Sequence, residues 1–426
     1  MSMTLRNCKM LLPGRKVGEG DISIDARGRI AAVGRGLDAA GETVDLSGCL
    51  VMPGLVNCHC HAPMTLLRGV GGGLPLQRWL EEAIFPLEAK LTDEDVAAGM
   101  TWGALEMLAG GTTCVADMYD HSRTCADSLA ATGMRGNVCF PGVAFPDGTP
   151  KGRLEQCVAF VKTPLPGRVL ADVCVHSEYL TVESFCRALA EANRELRRPL
   201  HVHVSETKKE HEECIARHGK TPVAYLADTG LLDQGGYAAH CVWCTDDDFR
   251  IMAEKGLTLV HNPTSNMKLG SGFARIVRAM ELGVNVALGT DGPASNDNLD
   301  MFEEMHLASL VHKGLANDPT VLSPWDVIEM ATKNGARALG RDDVGEIAVG
   351  KEADLCVVDL DRPHLLPAHD IPNLVVHSMH SSDVVMTVVG GEILYDARDG
   401  RQNWSAVDCG RARFELVSRA AALCRG

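Results

Sequence analysis

His59 and His61 stand two apart in the run Asn57–His61, NCHCH. On an extended chain such positions share a face. Two imidazoles on one face can bind a single metal ion, or they can be two pocket histidines with no ion. Far along the chain, HVHVSET carries His203 and Glu206. His203 can supply a third imidazole, and Glu206 would overhang such a site without ligating. His201 shares a face with His203 but lies about 6–7 Å further down the strand. That suits a buried, hydrogen-bonded histidine; His201 as the ligand is the competing assignment. Asp291, in LGTDGP, can complete a metal shell, or it can form an Asx turn before Pro293. His240 suits a place beside an attacking oxygen; alone it would read as a core histidine.

Three imidazoles and a carboxylate leave room for water on one divalent ion such as Zn²⁺. The ion lowers that water's pKa to roughly 7, giving hydroxide. Asp291 can orient and deprotonate it, Glu206 can carry the proton to a ring nitrogen, and His240 can hydrogen-bond the attacking oxygen. The donor set does not by itself fix which metal binds. Cys58 and Cys60 interleave with the histidines, but alternation points both sulfurs the other way.

These residues run from position 59 to position 291, so the fold must gather them. Each follows a short apolar run. The runs are Cys49–Val56, Gly111–Asp117, Gly136–Val143, Val169–Val175, Leu200–Val204, Tyr237–Val242, Leu257–Val260 and Asn285–Leu288. Helical patterns lie between them, such as Asp93–Leu108, Val182–Leu196, Asp246–Lys255 and Phe273–Leu282. Eight strands alternating with helices predict an α/β fold, a (β/α)₈ barrel. In that fold the carboxyl ends of the strands meet at one face, which carries the chemistry.

The chain ends differ. Residues 1–55 and 344–400 hold short alternating segments with turn signals, and 406–423 reads as a helix. Neither end can build a good core alone. The expected organisation is a barrel over 56–343 and a small β-sandwich shared by 1–55 and 344–426.

The 426 residues carry 41 Lys+Arg against 56 Asp+Glu, a net charge of −15, which argues against nucleic-acid or anionic-lipid partners. No apolar run reaches the ~18 residues of a membrane span, and the amino terminus shows no signal-peptide core. Many of the 16 cysteines sit inside apolar runs and read as reduced thiols, which places the protein in the cytoplasm.

PGLVNCHCHAPMTLLRG, WLEEAIFPLEAKLT, HVHVSET, NPTSNMKLGSG and LGTDGPASNDNLDMFEEM resemble the amidohydrolase superfamily. More narrowly they resemble its 5'-methylthioadenosine/S-adenosylhomocysteine deaminases, over nearly the whole chain. The resemblance implies a distorted TIM barrel with a β-sandwich from both ends. It implies one metal ion, usually zinc, on His59, His61, His203 and Asp291, with Glu206 and His240 as acid/base and partner. It implies that Glu88 binds ribose hydroxyls, that His176 contacts substrate, and that Arg153 reaches the substrate's far end. Without the family, Glu88 would read as a solvated helix face. Many relatives are dimers or tetramers, which by analogy admits a homo-oligomer.

The sequence departs from the pattern at Arg275 in SGFAR, where proline is usual, and in CFPGVAFPDG (139–148), which lacks an expected arginine. Both departures concern the substrate tail. Gly71–Gly73 can likewise reshape the loop near Glu88.

The implied reaction is deamination at C6 of an adenine nucleoside with a 5'-thioether. Dechlorination or deamination of a triazine, pterin or guanine is the neighbouring reading, to which a ribose-binding carboxylate is useless. Cyclic-amide hydrolases usually hold two metals bridged by a carboxylated lysine at the end of strand 4. Here that strand ends Val175-His176-Ser177. A barrel kept only as an interaction module would have lost a ligand or the proton carrier, and none is missing.

Overall fold

The structure, a computed structural model, describes residues 2–39, 41–145 and 152–424. Eight parallel strands form the barrel sheet: β1 (Leu55–Cys60), β2 (Thr112–Met118), β3 (Arg135–Cys139), β4 (Val169–Ser177), β5 (Leu200–Val204), β6 (Gly236–His240), β7 (Leu257–His261) and β8 (Val286–Leu288). A helix follows each strand. The helices packed outside include Asp93–Ala109, Glu183–Leu196, Asp246–Lys255 and Met301–Ala316. The acidic run at 246–248 opens its helix as negative charge should, and Thr245 and Asp248 form a reciprocal cap there.

The sheet closes at its seam by side-chain bonds. The Asn57 amide donates to Thr290 Oγ1 (2.8 Å), and its carbonyl accepts from Thr290 N (3.1 Å). Asp291 N–H then donates to the His59 carbonyl (3.0 Å). The seam therefore joins the two segments that carry His59 and Asp291.

Strand 1 is not the run 49–56. Cys49–Pro53 belongs to the sheet of the chain ends, where it pairs antiparallel with Leu355–Asp359. The barrel strand begins at Leu55. Gly54 is the crossing point: its N–H goes to Asp354 O, and a Cβ there would collide with the Thr113 side chain. Both halves are buried, so hydropathy runs through the break. The third strand is also shorter than its apolar run and ends at Cys139.

The chain ends build one nine-stranded sheet, from Asn403–Trp404 at one edge to Ile30–Gly34 at the other. Its strands are hydrogen-bonded neighbours in one continuous sheet. Gly28, at the turn between Lys16–Ile24 and Ile30–Gly34, accepts from Ala353 N and abuts the Gly390 carbonyl too closely for any Cβ. Ile22, Ile24, Leu355 and Val388 thereby share one core. The terminal helix, Cys409–Leu423, packs against Asp93–Ala109, where Arg419 pairs with Asp95 at 3.0 Å. Among the described residues no helix is long and apolar enough to cross a membrane.

Sheet and barrel are pinned by a buried ion pair. Arg135 on β3 grips both oxygens of Asp354 (2.8 and 3.0 Å), and Asp354 also accepts from Gly390 N (2.7 Å). Their side chains are 5% and 1% exposed. Removing one member of such a pair strands the other charge without water. Arg135→Ala should therefore cost about 3–5 kcal/mol of stability. Chemical denaturation measures this, and a loss below about 1 kcal/mol, the range of surface pairs, would mean that the contact does not hold the sheet in place.

Candidate active site

The strand ends bring the histidines and Asp291 to one point. His59 Nε2 and His61 Nε2 each lie 3.3 Å from Asp291 Oδ1. His61 Nε2 is also 3.3 Å from His203 Nε2. The other nitrogen of each ring is already engaged. His61 Nδ1 donates to the Met118 carbonyl, and His203 Nδ1 donates to the His176 carbonyl (2.8 Å). Both acceptors are carbonyls, so in the neutral rings both Nε2 atoms are bare lone pairs turned toward each other. His59 Nε2 is buried without a hydrogen-bond partner. Bonds of roughly 2.0–2.2 Å to one ion would set neighbouring ligand atoms about 3–3.5 Å apart. The donor set, its spacing and its facing lone pairs fit a divalent cation.

The electrostatics agree that positive charge belongs here. Burial alone would raise the Asp291 carboxyl, but the facing His59 and His61 rings hold it well below the usual range. Burial holds His59 down to about 4, and His203 falls well below its ordinary value for the same reason. His61 also pays for burial, yet Asp291 and the Met118 carbonyl bring it up to about 9.

His201 sits behind the cluster. Its Nε2 is 2.8 Å from His59 Nδ1, and its Nδ1 is 3.7 Å from Cys139 Sγ. It orients His59 and does not face the cluster. Cys58 packs with Val56, Cys114 and Leu339, away from the imidazoles. His240 forms a second close group with His59 and His203. Its Nδ1 meets Asn266 Oδ1 at 2.8 Å, and its Nε2 faces Glu206 Oε2 at 3.7 Å. Burial raises the Glu206 carboxyl, which favours a group that holds and releases a proton.

Several supporting residues escaped the sequence reading. Ser265 and Ser295 hydroxyls both donate to Asp291 Oδ2 (2.6 and 2.9 Å), which leaves Oδ1 for the cluster. Glu210 accepts the consecutive amides of Ser205 (2.7 Å) and Glu206 (2.8 Å). That pins a backbone turned left-handed at Ser205, where φ is +48°. His240 (+73°) and Asp291 (+63°) are left-handed too. Such strain costs about 1–3 kcal/mol per residue and gathers at functional sites. The sequence signal for the serines and Asn266 was the polar density of NPTSN and DGPAS after strands 7 and 8. Nothing local marked Glu210.

A cavity of about 570 Å³ opens over the cluster. Its wall includes His61, His176, His203, Glu206, His240 and Asp291. Glu88 lines it as well, among apolar side chains such as Trp79, Ile84 and Phe85. Arg153 stands beside the cavity, against two residues of its wall, Asp120 and Pro141. It is not among the described lining residues: its guanidinium stacks on Phe140 (4.3 Å), donates to the Pro141 carbonyl and pairs with Asp120 (3.0 Å). The loose spacing around 139–153 hid this, and residues 146–148 of CFPGVAFPDG lie outside the described residues.

Glu304 ties the two loops behind Asp291. Fully buried, it accepts from Asn296 Nδ2 (2.6 Å) and Thr264 N (3.3 Å). Burial raises its carboxyl from an ordinary 4.5 to about 8. Between those values the folded chain keeps a proton that the unfolded chain has released, so stability falls as pH rises through the window. Glu304→Gln carries no such proton. The wild type should lose more melting temperature than Glu304→Gln between pH 6.5 and 8.5. Equal pH slopes would show that this carboxyl ionises freely.

The sequence matches the amidohydrolase family over residues 50–394. A 5-methylthioadenosine/S-adenosylhomocysteine deaminase from Acetivibrio thermocellus is 43% identical over 364 residues, 84% of each chain. A 5'-deoxyadenosine deaminase from Methanosarcina mazei is 42% identical over 373 residues, 86% of each chain. Among solved structures, an adenosine deaminase from Xanthomonas campestris with bound zinc is 32% identical, with a TM-score of 0.91, covering 99% of this chain and 98% of that one.

Proposed function

Because the chain belongs to the amidohydrolase family, we propose that it is a metal-dependent aminohydrolase of adenine nucleosides with a 5'-thioether or similar 5' group. S-adenosylhomocysteine and 5'-methylthioadenosine are the leading substrates. The products are the inosyl compound and ammonia. One observation carries the riboside reading: a single cavity wall holds both the imidazole–carboxylate cluster with Glu206 and the separate carboxylate Glu88. A triazine offers Glu88 no hydroxyls. The cysteines, all unpaired and most of them buried, suit a reducing cytoplasm.

His59, His61, His203 and Asp291 would hold one ion, with zinc the natural choice for nitrogen and oxygen donors. Bound there, the ion supplies a water acidic enough to react near neutral pH. Glu206 takes the first proton from that water and passes it to the ring nitrogen beside C6 as the oxygen adds to C6. His240 donates through Nδ1 to Asn266, which fixes its ring beside the attacking oxygen. Asp291 Oδ1 collects the second proton and returns it to the amino group, which leaves as ammonia. His176, kept neutral because burial lowers it to about 3, contacts the base without adding charge.

The test is an ultraviolet assay of adenine-to-hypoxanthine conversion. The panel is S-adenosylhomocysteine, 5'-methylthioadenosine, 5'-deoxyadenosine and adenosine. The thioethers should exceed adenosine. If the metal-loaded protein turns over none of them, guanines, pterins and triazines become the substrates to test and Glu88 loses its role. Glu206→Gln should keep the metal and lose about 10²–10⁴-fold in kcat. His203→Asn should lose the metal while His201→Asn keeps it; the reverse pattern would make His201 the ligand.

A further inference from the structure

We infer that Tyr119 is a specificity-determining residue that fixes the Glu88 carboxylate for reading the ribose diol. The inference rests on the riboside reading given above. Tyr119 follows β2 directly on the barrel rim and is 7% exposed. Its hydroxyl donates to Glu88 Oε1 at 2.6 Å, and both side chains line the cavity. This is the one hydrogen bond to the Glu88 side chain among the described residues.

Glu88 needs such a partner because of how it reaches the cavity. It lies on the excursion between β1 and the helix Asp93–Ala109. That excursion enters through Gly69, Gly71 and Gly73, all at positive φ. It continues through a π-helical turn, Trp79–Ile84, and a single helical turn, Phe85–Glu88. Trp79 Nε1 donates back to the Val70 carbonyl, a bond within the excursion itself. The tie from Glu88 to Tyr119 instead crosses from the excursion to the barrel.

The chemistry follows from counting lone pairs. An ionised carboxylate has two oxygens and roughly four acceptor positions. Tyr119 occupies one on Oε1, which stops rotation of the carboxylate. Oε2 and the remaining position on Oε1 stay open, and two vicinal hydroxyls need two such acceptors. A buried site built to accept hydroxyls rejects the analogue that lacks them, because its carboxylate is then left without donors. Tyr119 cannot take over the role of the anion: burial pushes its phenol well above the usual range, so it remains the donor.

A purely structural tie would matter equally for every substrate. The test therefore compares the best riboside of the panel with its 2',3'-dideoxy counterpart in the zinc-loaded wild type, Tyr119→Phe, Glu88→Gln and the double variant. Metal content and melting temperature are measured alongside. Tyr119→Phe should lower kcat/KM for the riboside about 10–100-fold, mainly through KM, and shift the dideoxy analogue by less than about threefold. The double variant should be no worse on the riboside than Glu88→Gln alone, because Tyr119 acts through Glu88. Equal losses on both substrates would reduce Tyr119 to a structural tie, and no loss on either would overturn the inference outright. If Glu88→Gln leaves the preference for the riboside intact, the riboside reading of Glu88 fails. If Glu88→Gln abolishes that preference and Tyr119→Phe does not, only the role of Tyr119 fails. A Tyr119→Phe protein that loses metal or stability is assessed by Tyr119→Gln, which keeps a donor and should recover part of the riboside preference if the hydroxyl's donation is what matters.

Discussion

Bare lone pairs pointed at one another repel, and this molecule aims several at a single point. Nε2 of His61 and His203 and Oδ1 of Asp291 are held 3.3 Å from a neighbouring donor, with His59 closing the group. Only positive charge relieves that arrangement. Much of the surrounding structure keeps it from relaxing. The Met118 and His176 carbonyls hold two rings by their far nitrogens, His201 holds the third, and two serine hydroxyls hold the far oxygen of Asp291. The strain at Ser205, His240 and Asp291 belongs to the same set of constraints. Each such residue spends backbone energy to set a side chain where an unstrained chain would not put it.

The fold supplies rigidity where this geometry needs it. His59 and Asp291 lie on either side of the barrel seam, and the Asn57–Thr290 bonds set their separation. A barrel that closed with a slipped seam would move one member of the cluster against the others. The sheet of the chain ends stands outside the chemistry but not outside this logic. Its strand Cys49–Pro53 is separated from β1 by Gly54 alone, and the sheet is locked to β3 through Arg135 and Asp354, so it steadies the strand that carries His59 and His61.

The residues of the imidazole–carboxylate cluster were legible in the sequence because their signal is local. HxH, HVHVSET and TDGP each follow an apolar run, and barrel topology turns separate strand ends into neighbours. What stayed hidden depends on partners distant in sequence or on backbone conformation. The break at Gly54 vanished because both flanking strands are equally buried. His201 could be told from His203 only by seeing which ring nitrogen faces the cluster. Glu210 reads as one acid in a charged helix start, although both of its oxygens hold the amides beside Glu206. Arg153 was placed by analogy of spacing, and its pairing with Asp120 and a backbone carbonyl had no signal in the sequence.

Chemistry and recognition are mounted differently in this structure. The imidazole cluster, Asp291 and Glu206 sit on strand ends and the short turns beyond them, where parallel pairing and cross-loop hydrogen bonds fix them. Much of the apolar wall comes from the excursion at positions 68–91, which is joined to the first strand by glycines and carries Trp79, Ile84 and Phe85. A change in that excursion can alter which heterocycle or tail fits without moving any atom of the imidazole cluster. Glu88 is the exception, because its carboxylate is tied back to the barrel rim through Tyr119. A carboxylate facing a substrate diol must hold its angle to select for that diol, whereas an apolar wall need only exclude water. The structure makes that distinction physically: Trp79 and Ile84 are packed into the core, and the Glu88 carboxylate is held by a hydrogen bond to the barrel.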